Sequence, residues 1–567
     1  MARVAAELAE KSLLATLVMK EVWRRTRRGF TSGSLSRWPH FGPGADRLLA
    51  SPRDLRHGER AEGEAIYGRR FTFAGHSVEA AAISPFQVIA PSRAWALQLH
   101  SFEWLRHLAE LGGELASINS RALISDWLSL GGALPRVAAD PEVTARRMFV
   151  WLGHAPLILH GADTPFRRRF IKSLSRQGRH LRRTAGETAD GLARLKVRIA
   201  LTVAALCLPG LGGRIKADLR DLGAELDRQV FADGGHISRN PASIVELLTD
   251  LVPLRQLLIA RGEPVPRSLF GAIDRMLPAL RFFSHGDGRL ALFNGTGFVP
   301  NAALATLLAH DESLGEPIGH ARQSGYARLA AGGTVVIADV GTPPPVTVSG
   351  DAHAGTLAFE LSSGAGRIVV NCGCPPESGA GWRSLARSSA AHSTLVIGDR
   401  SSSRFATSEA LTRFLGAPIL EGPSRIEVTR EDRAEGQRLT AVHDGYQAPF
   451  GLLQERSILV SHDGASVLGL DQVYSVNGRR PRSETPPAAI RFHLCPGVVI
   501  QKAPSGGLRL SLRGETWRFS ADVEPDVEDS IFFADPSSPR PSFQIVLNFD
   551  PLTRSEVAWR FTRERSL

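Results

Sequence analysis

The feature that most constrains this chain is a change of hydrophobic period near residue 325. From about 94 to 315 the apolar residues recur at helical spacing, as in Trp95, Leu97, Leu99, Phe102, Leu105, Leu108 and Leu111, and again in Val245, Leu248, Leu251, Val252 and Leu258. Helices are expected near 141–160, 165–184, 189–207, 212–229 and 264–283, with Pro253 either interrupting one or marking a junction. Beyond about 325 the pattern becomes short apolar runs bounded by Gly, Asp and Ser: Thr334–Asp339, Arg367–Asn371, Ser393–Ile397, Ser457–Val460, Leu508–Leu512 and Gln544–Leu547. Runs of that length and density predict an antiparallel β-sandwich. Successive helices with short joints predict antiparallel helix pairs, as in bundles and α/α toroids. The expectation is a multidomain α + β chain: a basic, irregular segment with one short helix over 1–90, a helical domain over 91–322, and a β-sandwich over 323–567.

Composition narrows the setting without choosing a function. The net charge of +11, carried mostly by arginine, favours polyanionic partners: nucleic acid, an anionic membrane or an acidic glycan. No nucleic-acid module is recognisable and the arginines read as dispersed, so nucleic acid is set aside. Cys207, Cys372, Cys374 and Cys495 are irregularly spaced, unlike a disulfide framework, and Cys372 and Cys374 are expected as buried thiols. The apolar run Ser12–Met19 follows Glu7, Glu10 and Lys11 and is short for a secretory signal, and no run is long enough to span a bilayer. The sequence therefore points to the cytoplasm.

Within the helical half lies Asp233-Gly-Gly-His-Ile-Ser-Arg-Asn-Pro241, which places a histidine, an arginine and an asparagine just after a Gly-Gly hinge and at the head of a helix. Asn240 before Pro241 is also a good helix start. Downstream come Ser324–Leu329, His353–Leu361, Ala391–Leu395, His443–Tyr446 and Arg491–Leu494. In this order the six segments resemble those of the heparinase II/III-like polysaccharide lyases. The wording of 233–241 and of Arg281–Gly295 is similar to a narrower bacterial group of that family. The resemblance implies an incomplete (α/α) toroid followed by an antiparallel β-sandwich, β-elimination on an acidic, uronate-containing polysaccharide, and a periplasmic or cell-envelope setting for related lyases.

Such an elimination needs donors that neutralise the uronate carboxylate, a base for the C5 proton and an acid for the departing oxygen, and it requires no cofactor. The resemblance places His236 at the family's catalytic His or Asn position. Arg239 offers a planar fork for a carboxylate, and Asn240 and Arg491 are candidate substrate contacts. The family's catalytic tyrosine is absent from the matching stretch, where His285 is the nearest titratable group, and Tyr326 is the other candidate. Some members hold a structural zinc, and His353 and His392 match two of its ligand positions. Asp351 and Asn371 stand where the pattern has histidine and aspartate, which counts against zinc. Two readings follow: a lyase, or a non-catalytic glycan-binding or envelope-associated protein on the same scaffold.

Overall fold

The computed structural model describes residues 2–31, 47–81, 83–313, 315–375, 380–406, 408–475, 484–504, 506–536 and 539–564. They form two compact units. The first comprises 1–230 and 245–274, and the second comprises 231–244 and 275–567. The second unit thus takes in the whole 233–241 block and the 275–322 stretch, both of which the helical period assigns to the first domain.

The first unit is helical. Its helices include Pro141–Gly153, Thr164–Thr184, Leu192–Cys207 and Ile215–Gln229, within a few residues of the expected spans. Two begin with an Asp cap and a proline. Asp140 accepts from the Glu142 N–H ahead of Pro141, and Asp163 accepts from the Phe166 N–H beside Pro165. The helix Pro241–Ala260 runs through Pro253 without a break. Buried Leu251, Val252, Leu254 and Leu257 on either side hold it, and that packing outweighs the hydrogen bond the ring forfeits. The N-terminal segment holds more than one short helix: Ala2–Thr31 and Arg60–Tyr67 are both helical, and Arg70–Phe73 pairs with His76–Glu79. An aromatic cluster of Phe102, Trp104, Trp127, Trp151 and Phe170 forms the core. The arginines are less evenly spread than the sequence suggests. Helix Thr164–Thr184 carries Arg167, Arg168, Arg169, Lys172, Arg176, Arg179, Arg182 and Arg183 and no carboxylate.

The second unit contains two large antiparallel sheets. One runs in spatial order 426–433, 436–443, 452–461, 466–475, 556–564, 515–521, 508–512 and 499–502. The other runs 526–532, 540–549, 488–494, 366–370, 359–363, 334–339, 326–331 and 320–321, with 395–397 paired to 488–494. Their facing sides bury Phe359, Phe492, Trp517, Phe519, Trp559 and Phe561, with Phe359 stacked on Trp559 at 5.4 Å. Arg456 is buried in this layer. Its guanidinium grips both oxygens of Asp471 at 2.8 and 2.9 Å and donates to the Leu357 and Ser393 carbonyls.

Alternation along the strands sends a second set of side chains to the other face of the 320–549 sheet. Ala327, Leu329, Val336, Ala338, Phe359 and Leu361 point into the core. Their neighbours Tyr326, Asp339, Glu360 and Ser362 are also buried, on the opposite face, and they meet the 231–244 and 282–296 segments of the same unit. All four cysteines are free thiols; Cys372 is buried, whereas Cys374 is half-exposed.

Candidate functional site

The Asp233–Pro241 block is held by close backbone approach. Asp233 accepts from the N–H groups of Gly235, Gln323 and Ser324. A Cβ on Gly234 would lie 2.0 Å from the Arg275 carbonyl, and one on Gly235 would lie 2.4 Å from the Ser324 side chain. The two glycines are therefore packing requirements, and no hinge motion is needed to explain them. His236 is buried, and its Nδ1 accepts from the Ser238 N–H at 3.2 Å and the Ser238 hydroxyl at 2.8 Å, which puts the ring proton on Nε2.

Arg239 adopts a left-handed conformation, with φ +58°, a strained setting for a residue with a side chain. Its side chain explains why the strain is tolerated. Nε donates to the Ser324 carbonyl at 2.7 Å, one terminal nitrogen to the Gly341 and Thr342 carbonyls, and the other to the Gly325 carbonyl and the Asp339 carboxylate. Every donor of the guanidinium is thereby used. Asp339 raises the guanidinium pKa against the opposing effect of burial. Tyr326 closes the loop: its hydroxyl donates to the Arg239 carbonyl at 2.6 Å and accepts from the Asn294 amide at 2.7 Å, and its ring lies against the guanidinium. Burial pushes the phenol pKa up. Asn294 also donates to Asp339 and accepts from the His353 N–H. The structure thus joins Arg239, Tyr326 and His353 through Asn294 and Asp339, neither of which the sequence reading singled out.

His285 belongs to a second network. Its Nε2 meets Glu360 at 3.0 Å and its Nδ1 meets the Ser362 hydroxyl at 2.9 Å, with the side chain fully buried. The other Glu360 oxygen accepts from the backbone N–H groups of Leu292 and Asn371. Asn240 acts as the helix cap: its side-chain oxygen accepts from the Ala242 N–H at 2.9 Å and from the Thr296 hydroxyl at 2.8 Å. Arg491 lies apart from these networks and bonds Glu528 and Gln544 on neighbouring strands.

The two zinc-position histidines do meet. His392 Nδ1 donates to the Ser388 carbonyl, so its Nε2 accepts from His353 Nδ1 at 3.0 Å. Burial lowers both, His392 to about 4 and His353 well below its ordinary value, with His392 and Arg387 adding to the effect on His353. The remaining ligand positions do not complete a tetrahedral set. Asp351 is exposed and paired with Arg383. The Asn371 side chain is committed to Glu360 and the Ser393 N–H. Among the described residues no group of three or more His, Cys, Asp or Glu could hold a metal. The His353–His392 arrangement fits a hydrogen-bonded imidazole pair and does not fit a zinc site.

Comparison with known proteins places this architecture. Residues 314–562 match the model for the heparinase II/III-like C-terminal domain. Over the whole chain the fold is similar to the crystal structure of heparinase III (TM-score 0.68, 13% identity, covering 98% of this chain and 92% of that one). It is also similar to heparan sulfate lyase HepC from Pedobacter heparinus (TM-score 0.56, 14% identity, 98% and 88% covered). A helical toroid-type region followed by an antiparallel sandwich is thus the fold shared with heparinase III. The C-terminal part of the chain, residues 314–562, belongs to the heparinase II/III-like C-terminal domain family. Among the chain's relatives is FtsZ-localized protein C of Caulobacter vibrioides (strain NA1000 / CB15N), 34% identical over 538 residues, which span 92% of this chain and 91% of that protein.

Proposed function

We propose that this chain is a non-catalytic member of the family, a binding protein on a lyase scaffold that works in association with FtsZ. The observation that carries this reading is the full commitment of Arg239. A carboxylate neutraliser must present free donors to the substrate, and all of this guanidinium's donors are spent on protein acceptors. The same holds for two of the other candidate groups, His285 and Tyr326. Both nitrogens of His285 and the hydroxyl of Tyr326 are buried and bonded to protein partners. The FtsZ association is carried over from the name of the relative.

A second reading, β-elimination on an acidic glycan, draws support from one atom. His353 Nε2 is a buried acceptor without a hydrogen-bond partner, and a bare imidazole nitrogen is the form a general base requires. Its depressed basicity works against that role. Two measurements separate the readings. Incubation with a panel of acidic glycans yields no 4,5-unsaturated uronide absorbing in the near ultraviolet if the chain only binds; sustained formation of that product overturns the proposal. A fluorescent fusion should follow FtsZ in the cell, and a distribution indifferent to FtsZ depletion would remove the association.

A further inference from the structure

The second unit contains a cavity of about 810 Å³ that none of the networks above fills. Its walls are the 340–345 stretch, the Gly319–Gln323 turn and one face of strand Ile426–Arg433, with Phe231 and Ile237 at the side. That volume lies within the roughly 300–1,000 Å³ typical of small-molecule sites. The lining contains Arg239, Arg322, Arg430 and His320 and no carboxylate. Arg239 is neutralised by Asp339, so the positive charge offered to the cavity belongs to Arg322 and Arg430.

Arg430 has the most to gain from a ligand. Its ion pair with Asp432 is loose at 3.6 Å, and that aspartate is 68% exposed. Its Nε is buried with no hydrogen-bond partner. The guanidinium lies flat against Gly319, where a Cβ would come within 2.5 Å of Cζ. The glycine makes room for it at the cavity wall. His320 records the same excess of charge: burial lowers its pKa, and Arg322 and Arg430 lower it further, with Asp233 opposing. Asp233 makes its hydrogen bonds to the Gly235, Gln323 and Ser324 N–H groups and is not among the residues that line the cavity. Phe231, Ile237, Ile426 and Val428 add apolar wall beside these cations.

We propose that this cavity binds a small organic anion, with an acidic group held by Arg322 and Arg430 beside His320 and a compact body against the Phe231, Ile237 and Val428 wall. The shared chemistry is an oxyanion that a guanidinium fork can grip, supplied either by a carboxylate or by a phosphate ester. The site is separate from Arg239's structural bonds, so it goes beyond the binding role proposed above and does not depend on the absence of turnover.

The test is calorimetric titration of the full-length chain with glucuronate, glucose 6-phosphate, inorganic phosphate and neutral glucose. At least one organic anion should bind where glucose does not, and the stronger of glucuronate and glucose 6-phosphate identifies the acidic group. Arg322→Gln and Arg430→Gln should each weaken that binding by about tenfold, the effect of losing one charge-assisted contact, and together they should abolish it. Gly319→Ala should weaken it by displacing the Arg430 guanidinium. Arg322 is exposed, so Arg322→Gln reads the site even if a change at Arg430 impairs folding. The proposal falls if no anion outbinds glucose, if phosphate alone binds as tightly as either organic anion, or if Arg322→Gln leaves affinity unchanged. Appearance of unsaturated product with unchanged anion affinity would overturn the non-catalytic reading and leave this site standing.

Discussion

Replacing Arg239 by alanine should unfold the second unit more easily, in contrast to the silent loss of activity expected of a catalytic arginine. The substitution leaves the Asp339 carboxylate buried, 3% exposed on its side chain, with only the Asn294 amide and the Gly341 N–H as donors. Breaking a buried pair from one side costs about 3–5 kcal/mol. The Ser324, Gly325, Gly341 and Thr342 carbonyls also lose a donor, but the adjoining cavity lets water reach part of the gap, which keeps the total near about 4 kcal/mol. At about 2–4 °C per kcal/mol for a sizeable domain, the transition of this unit should fall by roughly 10 °C. Scanning calorimetry is the suitable assay, because two units can melt as separate transitions. Asp339→Asn alone should also destabilise, by stranding the guanidinium. The double variant should cost less than the sum of the two by at least about 1 kcal/mol, the signature of a direct pair. An Arg239→Ala protein melting within about 2 °C of the parent, the range of an ordinary surface change, would refute the reasoning.

Tyr326→Phe removes one donor and one acceptor from the same network and should cost about 1–3 kcal/mol in chemical denaturation, with FtsZ association and anion binding unaltered; a variant as stable as the parent would show the hydroxyl to be free for other work. Stability should fall on acidification. The unfolded chain takes up protons at His392, His443 and His493 near 6.5, whereas burial holds the folded groups to about 4, 4 and 3. Their contribution is therefore intact above about pH 6.5 and is lost toward pH 4, at up to about 1.4 kcal/mol per pH unit for each imidazole. Melting temperatures across that window check the sign, and a rise on acidification would contradict it. Metal analysis of the purified chain should find substoichiometric zinc, and chelation should leave the melting temperature unchanged. One equivalent of zinc, lost together with stability, would restore His353 and His392 as ligands.

The element types were legible because they rest on period. Helical spacing located Pro141–Gly153 and Thr164–Thr184, and short apolar runs between turn residues located Thr334–Asp339 and Leu508–Leu512. The domain boundary was less legible, because period reports secondary structure and not which unit a segment joins. Residues 275–282 continue the helical pattern yet pack with the second unit. The site residues were legible as a set of polar positions but not as partners. Asp339 lies 100 residues from Arg239, Glu360 75 residues from His285 and Asn294 59 residues from His353, and such long-range pairs leave no local pattern. One signal was available. Glu360 lies inside an apolar strand run and Asp339 closes another, and a carboxylate that is buried in such a place requires a counter-ion or donor.

The same requirement gives the 233–241 block a structural role that does not depend on catalysis. Asp233 ties the block to the Gln323–Ser324 turn, Arg239 ties it to the carbonyls of 324–325 and 341–342, and Asn240 starts the following helix. Three polar letters of the block therefore have a structural job in this unit. Losing any one would leave a buried partner unsatisfied, so the block is costly to change whether or not a sugar is ever cleaved. On the resemblance drawn from the sequence, the toroid tyrosine position and Asn371 are where catalysis or zinc alone would impose a requirement. Asn371 shows the distinction directly: its amide satisfies Glu360 and the Ser393 N–H, a bonding pattern that a carboxylate there would turn into repulsion with Glu360.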